Sequence, residues 1–409
     1  MRALLVAQEG IHRGALAAAR ALARAGWVVG CTSDDRRGLA AASRATSRWH
    51  YTPSPADDLD AFLDSVQAAV NEGGYEVLLP GGDAETLALS IGRDRIKACV
   101  PYPPHDNVVR AFDKLDLVVG AARAGLATPR TMIATDDELQ RVNGPIVVKS
   151  RLHWAPGSPQ GGLRLPTTVV FNQHEAARRV AEVRDAGGEP LLQEIVRGRI
   201  MHCHVAMDRD GRMITCVKQL SEPLQLPPEG GTRVRSQTVP TEEPLAQGVS
   251  SFLRDLGWYG FASIQFMQPD VGPPRVVDFN GRLSLSFEQT IAAGINFPAL
   301  WACVATGRDY GDVSTARMGV RFQWFEGDIQ RALIERRGGL ERDLADTLLY
   351  TRGAVHGVWR MSDPMPSFRY WQYYLRRVPK MIRQLRNNEF KGDDGHPTAG
   401  PQRRAQERV

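Results

Sequence analysis

Along the first hundred residues, short apolar runs alternate with amphipathic stretches. Residues 3–7 are apolar, residues 14–25 are rich in Ala, Leu and Arg up to Gly26, and residues 27–31 are apolar again. Residues 56–71 place Leu59, Phe62, Leu63, Val66 and Val70 on one helical face before Gly73 and Gly74 stop the helix. Residues 77–80 form a buried strand that ends in Gly81–Gly82–Asp83. Strands alternating with helices predict a parallel sheet with crossover connections, an α/β lobe of Rossmann-like shape.

After Pro103 and Pro104 the pattern changes. Residues 112–124 read as one helix, and residues 145–149 as an apolar strand ending in Lys149. A long Gly/Pro/Ser-rich stretch, 154–166, follows it. Then come a helix over 175–185, a strand over 190–196, and a hairpin of 202–207 with 213–218 turning at Asp210–Gly211. Strands at 261–267 and 275–279 and a helix at 286–293 complete the patterned region. From Phe368 the chain is aromatic and basic, and from Lys391 its polar composition predicts disorder.

Length and composition narrow the classes. At 409 residues the chain exceeds one ordinary core, and 43% hydrophobic with 24% charged residues is the balance of a soluble globular protein. No apolar run approaches the roughly 18–20 residues of a membrane span. The start, MRALLVAQEG, lacks a signal-peptide pattern and reads as a first strand. Five scattered cysteines without a CxxC pair argue against a disulfide framework or zinc site and fit a reducing cytoplasm. The net charge of +5 is mild, and the basic residues lack any motif that reads nucleic acid.

The candidate chemistry lies in the middle of the chain. No GxxxxGK[ST] occurs, and the glycines of QEGIHRGALA are not spaced as a dinucleotide fingerprint. Lys149, at the end of a buried strand, can put a point charge on phosphate oxygens, although a strand-end lysine can also be merely solvated. Lys114, early in a helix, has the same two readings. Gly157, Ser158, Gly161 and Gly162 would let backbone N–H groups wrap a polyphosphate. Gln193 and Glu194 are polar edges on an apolar strand, suited to an adenine ring. Asp278 and Asn280 are two apart and so share a strand face, and Gln265 would face them if the two segments pair. Three oxygen donors with phosphate oxygens make a hard site suited to Mg²⁺, and Arg282 can hold a phosphate or carboxylate bidentately. The competing reading of Asp278 and Asn280 is a turn, since Asn280–Gly281 favours one. Lys218, after the hairpin, is a further phosphate or substrate candidate. His202 and His204 share a face but are two ligands where a metal needs more. His153 and Trp154 could face a substrate, and Ser286 either faces substrate or caps a helix.

In order, DK, GLATPRT, PIVVK, the Gly-rich loop, QEIVRG, LGWYGFASIQF, VVDFNGR and AAGINFPAL resemble the ATP-grasp superfamily over about residues 77–308. Within it the chain is similar to the carbamoyl-phosphate-synthetase-like and biotin-carboxylase-like branch, and to predicted bacterial carboxylate–amine ligases. The resemblance implies a Rossmann-like domain at 1–104, a small lid subdomain at 105–190, an antiparallel-sheet subdomain with the metal site at 191–310, an extension at 311–390 and a tail at 391–409. It implies ATP and Mg²⁺ as cofactors. Lys114 and Lys149 would contact phosphates, Gln193, Glu194, Ile195 and Val196 would form the adenine hinge, Gln265, Asp278 and Asn280 would hold magnesium, and Arg282 would stabilise the transferred phosphate. The family usually reads Glu-x-Asn-Pro-Arg where this chain has Asp278-Phe279-Asn280-Gly281-Arg282, and often Glu where it has Gln265. No ribose-holding acid is evident in GRIMHCH.

The expected reaction is activation of a carboxylate as an acyl phosphate and its coupling to an amine. The alternatives are an ATP-dependent, bicarbonate-using carboxylase, or a non-catalytic nucleotide-binding protein. Residues 368–386 suit an anionic membrane surface or a partner, but the favoured reading is a helix that packs its aromatics on the body with its arginines in water, with Pro379 expected to interrupt any long amphipathic helix. The sequence leaves the oligomeric state open, a homodimer through the N-terminal lobe being one option.

Overall fold

In the computed structural model, which describes residues 1–8, 10–152, 154, 167–226 and 231–386, the apolar runs at the N-terminus become a parallel sheet. Its strands are β1 (Arg2–Val6), β2 (Val28–Ser33), β3 (Thr46–Tyr51) and β4 (Val77–Pro80), in the order β3-β2-β1-β4. Helices α1 (Arg13–Arg24), α2 (Leu59–Gly73) and α3 (Asp83–Ile91) connect or flank them. β3, TSRWHY, carries no apolar run and is an edge strand, recognisable only through its pairing with β2.

The stretch expected to be one helix over 112–124 is two, α4 (His105–Phe112) and α5 (Lys114–Arg123). Asp113 separates them. Its backbone is extended, and its Oδ1 accepts from the N–H groups of Leu115 at 2.9 Å and Asp116 at 3.1 Å. A carboxylate at this position satisfies donors that the new helix would leave open, so the break is a cap.

A second, antiparallel sheet contains β5 (Thr131–Ile133), β6 (Ile146–Ser150), β7 (Thr168–Val170) and β8 (Pro190–Gln193), in the order β5-β8-β6-β7. Helices α6 (Asp136–Gln140) and α7 (Gln173–Asp185) accompany it, and Val148, Val170, Val180 and Leu192 share its small core. β8 stops at Gln193, short of the expected residue 196.

The third sheet has seven strands in the order β15-β14-β9-β10-β13-β16-β17. They are β9 (Arg199–Met207), β10 (Met213–Ser221), β13 (Arg235–Val239), β14 (Gly260–Gln268), β15 (Arg275–Asn280), β16 (Arg321–Gln323) and β17 (Ala354–His356), with the two-stranded ribbon β11 (Gln225–Leu226) and β12 (Thr232–Arg233) beside it. Pairing is antiparallel except between β16 and β17. Residues beyond 310 therefore extend this sheet rather than append to it. Helices α8 (Glu243–Asp255), α9 (Phe287–Ala292), α10 (Phe297–Thr306), α11 (Phe325–Glu335) and α12 (Leu340–Tyr350) complete this part. Phe261, Phe287, Phe297 and Trp301 stack edge-on or tilted in its core, which is continuous with that of the parallel sheet.

Helix α13 (Met365–Arg386) continues through Pro379, where an interruption was expected. Its first half is held down: Tyr370 and Tyr374 are buried with Leu16, Phe322, Trp324 and Val358, whereas Phe368, Trp371 and Leu375 are exposed. Among the described residues no helix is long and apolar enough to cross a membrane. All five cysteines are free.

Candidate active site

Lys149 and Lys114 come together because two chain segments are stitched at their ends. The N–H of Lys114 donates to the carbonyl of Arg151 at 3.0 Å, and Arg151 Nε donates to Asp113 Oδ2 at 2.6 Å. The start of α5 is thus tied to the end of β6. From there the Lys114 ammonium reaches across to the large sheet and lies 2.5 Å from Asp278 Oδ1.

Lys149 is buried, 3% exposed, and donates to Gln193 Oε1 on the neighbouring strand at 3.0 Å. Gln193 is itself aligned by donating to Thr131 Oγ1 at 2.7 Å. Burial, then repulsion from Lys114, pulls Lys149 down to about 7, against the opposing pull of Asp278. An ammonium this poorly compensated is poised to gain from an anion beside it. Glu194 ion-pairs with Arg275 at the start of β15, and the half-buried Ile195 and Val196 follow where the chain leaves the small sheet for the large one.

The large sheet presents the oxygen donors. Gln265 on β14 lies directly opposite Asp278 on β15, and Ser263 opposite Asn280. Asn280 Oδ1 accepts from Arg282 Nη2 at 2.8 Å, while Arg282 Nε donates to Asp83 Oδ1 at 2.7 Å. Asn280–Gly281 is not a positive-φ turn. Gly281 is required because a Cβ there would sit 2.5 Å from the ring of Trp258.

Other candidates are placed elsewhere. Lys218 alternates with Gln219, which is opposite His202, itself opposite Gln265. Lys218 therefore lies on the other face of the sheet, where its Nζ pairs with Glu242 at 2.5 and 2.6 Å. The structure does not bring it to the cluster. His202 contacts Ser263 Oγ at 3.2 Å and His204 contacts Ser284 Oγ at 2.7 Å. Burial, with the nearby Arg233, holds both imidazoles well below their usual range, hence neutral. Ser286 precedes α9 without capping it, and its Oγ accepts from Arg233 Nη2 at 2.6 Å. Trp154 is buried. Gly157, Ser158, Gly161, Gly162 and His153 lie outside the described residues.

Asp83 and His12 lie beside Arg282 and were not singled out from the sequence; nor were Arg13 and Arg233, which lie farther along the sheet beside Trp324 and Gln219. Asp83 alone carried a signal, the Gly81–Gly82–Asp83 turn after a buried strand. His12 caps α1 by accepting from the N–H of Ala15 at 2.9 Å, and burial with Arg282 and Arg13 nearby drives it down to about 3.

The donor set can be tested against a magnesium ion. Asp278, Asn280 and Gln265 offer hard oxygens from adjacent register positions. The Asp278 carboxylate already draws the Lys114 ammonium to it, so positive charge is held at this position. Among the described residues no group of three His, Cys, Asp or Glu side chains could hold a metal by itself. The residues fit a magnesium ion that takes its remaining ligands from phosphate.

This arrangement of three sheets is the ATP-grasp fold. The chain superposes on the biotin carboxylase domain of Hydrogenobacter thermophilus 2-oxoglutarate carboxylase, solved with MgADP and bicarbonate, at TM-score 0.60 and 16% identity over 78% of this chain and 73% of that one. It is similar to an L-amino acid ligase from Bacillus licheniformis at TM-score 0.57 and 15% identity, covering 77% of each chain. It is likewise similar to N5-carboxyaminoimidazole synthetase from Staphylococcus aureus in complex with ADP, at TM-score 0.60 and 10% identity over 82% and 84%. No protein-family model matches the chain, and no match is found among curated proteins.

Proposed function

We propose that the protein is an ATP- and magnesium-dependent ligase that activates a carboxylate as an acyl phosphate and couples it to an amine. The observation that carries this reading is the contact of Lys114 with Asp278, beside the buried Lys149 and opposite Gln265. It joins a phosphate-type cation pair to a metal-type oxygen set from separate sheets.

Lys149 and Lys114 would bind the phosphates of ATP, with Gln193 aligning Lys149. Segment 193–196 would border the adenine. Asp278, Asn280 and Gln265 would hold magnesium, which when bound neutralises phosphate oxygens. Arg282, oriented by Asp83 and Asn280, would stabilise the transferred phosphoryl group. The substrate carboxylate attacks the γ-phosphorus and ADP leaves. The amine then attacks the acyl carbon and phosphate leaves, with the amine proton passing to solvent. The protein supplies position and charge rather than a nucleophile.

The test is ADP release by the full chain with MgATP and a panel of carboxylates and amines, with Lys149→Ala and Asn280→Ala as controls. Turnover that needs both a carboxylate and an amine and disappears in both variants is the expected result. Bicarbonate-dependent turnover without an amine would establish a carboxylase instead, and failure to bind ATP would end both readings.

A further inference from the structure

The large sheet continues past the proposed metal site to a second group of polar side chains that the reaction outlined above leaves unused. From Asp278 the register runs through Gln265 and His202 to Gln219. That is three strand spacings, about 14 Å. Gln219 is fully buried, and its Oε1 accepts from Arg233 Nη2 at 2.5 Å. Arg233 is 8% exposed and also donates to Ser286 Oγ. Facing this pair from the parallel-sheet side is Arg13, in the first turn of α1 and 5% exposed, with its guanidinium 3.9 Å above the ring of Trp324.

The two arginines are held in one place by two chains of contacts. The N–H of Trp324 donates to the carbonyl of Val234, next to Arg233, at 2.7 Å. On the other side Gly14 is pressed so closely on the carbonyl of Ser284 that a Cβ would lie 2.7 Å from its oxygen, and Ser284 Oγ is 3.2 Å from the Ser286 hydroxyl that Arg233 grips.

Four buried nitrogens here have no hydrogen-bond partner among the described residues: Arg13 Nη1, Arg233 Nη1, Gln219 Nε2 and Trp324 Nε1. Every one of them can only donate. Buried donors are ordinarily satisfied, and four of them in one neighbourhood ask for a ligand rich in acceptors. Two are cationic. Burial, with Arg13 nearby, lowers Arg233 to about 9. Glu326 lies near Arg13, and burial raises it to about 7, so at neutral pH it offsets that charge only in part. His202 and His204 are neutral and add no charge.

We propose that Arg13 and Arg233, with Gln219 and Trp324, form a subsite for an oxyanion, a carboxylate or phosphate group of the acceptor substrate that is remote from the carboxylate being activated. That the oxyanion belongs to the substrate rests on the ligase reading; the oxyanion subsite itself rests on the geometry alone. It makes the substrate a compound with at least two anionic groups. Arg282, bonded to Asp83 and Asn280, serves the reacting end, and the arginine pair serves the far end.

The test is calorimetric titration of the full chain with malonate and, separately, with inorganic phosphate, on wild type, Arg13→Gln, Arg233→Gln and Trp324→Phe. MgATP affinity is measured on the same preparations, and circular dichroism reports folding. Wild type is expected to saturate with at least one anion at concentrations up to about 50 mM, with malonate marking a carboxylate subsite and phosphate a phosphate subsite. Each arginine variant should weaken that anion by about tenfold or more while MgATP affinity holds within about twofold. Trp324→Phe keeps the ring under Arg13 and removes one N–H, and should weaken the anion by about threefold. It decides the question if the arginine variants fail to fold. Absence of saturation in wild type, or equal anion affinity in wild type and every folded variant, overturns the proposal. Anion binding that follows these variants in a chain that does not bind MgATP would sink the ligase reading and leave the oxyanion subsite standing.

Discussion

Replacing Lys149 by Met should make the unliganded protein more stable while removing its nucleotide affinity. The side chain is 3% exposed and its pKa falls from the ordinary lysine value of 10.5 to about 7. The sign follows from proton counting. Between those two values the unfolded chain binds more protons than the folded one, so stability rises with pH through that window. Below it, the full cost of keeping the ammonium buried applies, about 5 kcal/mol. Near pH 7 the cost is about 4 kcal/mol, and near pH 9 about 2 kcal/mol. Methionine has similar length and no charge, but it leaves Gln193 Oε1 without its donor, a loss of about 1–2 kcal/mol. The net expectation is a gain of about 2–3 kcal/mol near pH 7 that falls to about zero near pH 9. Urea unfolding followed by tryptophan fluorescence at both pH values measures it, and ATP titration of the same variant should show affinity down by about tenfold or more. A variant that is less stable near pH 7, or whose gain does not depend on pH, would refute the claim that Lys149 is held under electrostatic tension for a phosphate. Stability set aside for binding is a common trade at functional sites.

Related expectations follow from neighbouring contacts. ATP binding near pH 7–8 should take up a fraction of a proton as phosphate raises Lys149, so the calorimetric enthalpy should change with the ionisation enthalpy of the buffer, and a buffer-independent enthalpy contradicts this. Asp278→Asn should lower ADP release by about a hundredfold or more, since it removes the one carboxylate of the proposed metal set and the partner of Lys114; turnover near wild type would remove Asp278 from the chemistry. Asp113→Ala should cost about 2 kcal/mol in denaturant unfolding, through loss of the α5 cap and the Arg151 contact, and should raise KM for ATP by displacing Lys114; an unchanged KM would show that the cap does not position the lysine. Lys218→Met should leave turnover within about twofold of wild type, because Lys218 pairs with Glu242 behind the sheet; a large loss would mean that the face assignment is wrong.

Much of this architecture was legible along the chain. The alternation at the N-terminus announced a parallel sheet, the apolar run before Lys149 announced a strand that ends in a cation, and the spacing of Asp278 and Asn280 required one face. These are local facts, since strand and helix periods are properties of consecutive residues. The break at Asp113 was missed because a cap and a helical aspartate look alike until the N–H groups they serve are seen. Lys218 was misplaced because a period of two says that neighbours face opposite ways but not which way is inward. Arg282 meets Asp83 across 199 residues, and Arg13 meets Trp324 through a ring contact between separate lobes. No local pattern encodes such meetings. Sequence thus determined which elements form and which residues can carry charge to phosphate or metal. Tertiary packing alone decided which of those residues share a face, which lose their water, and which buried donors are left in want of an acceptor.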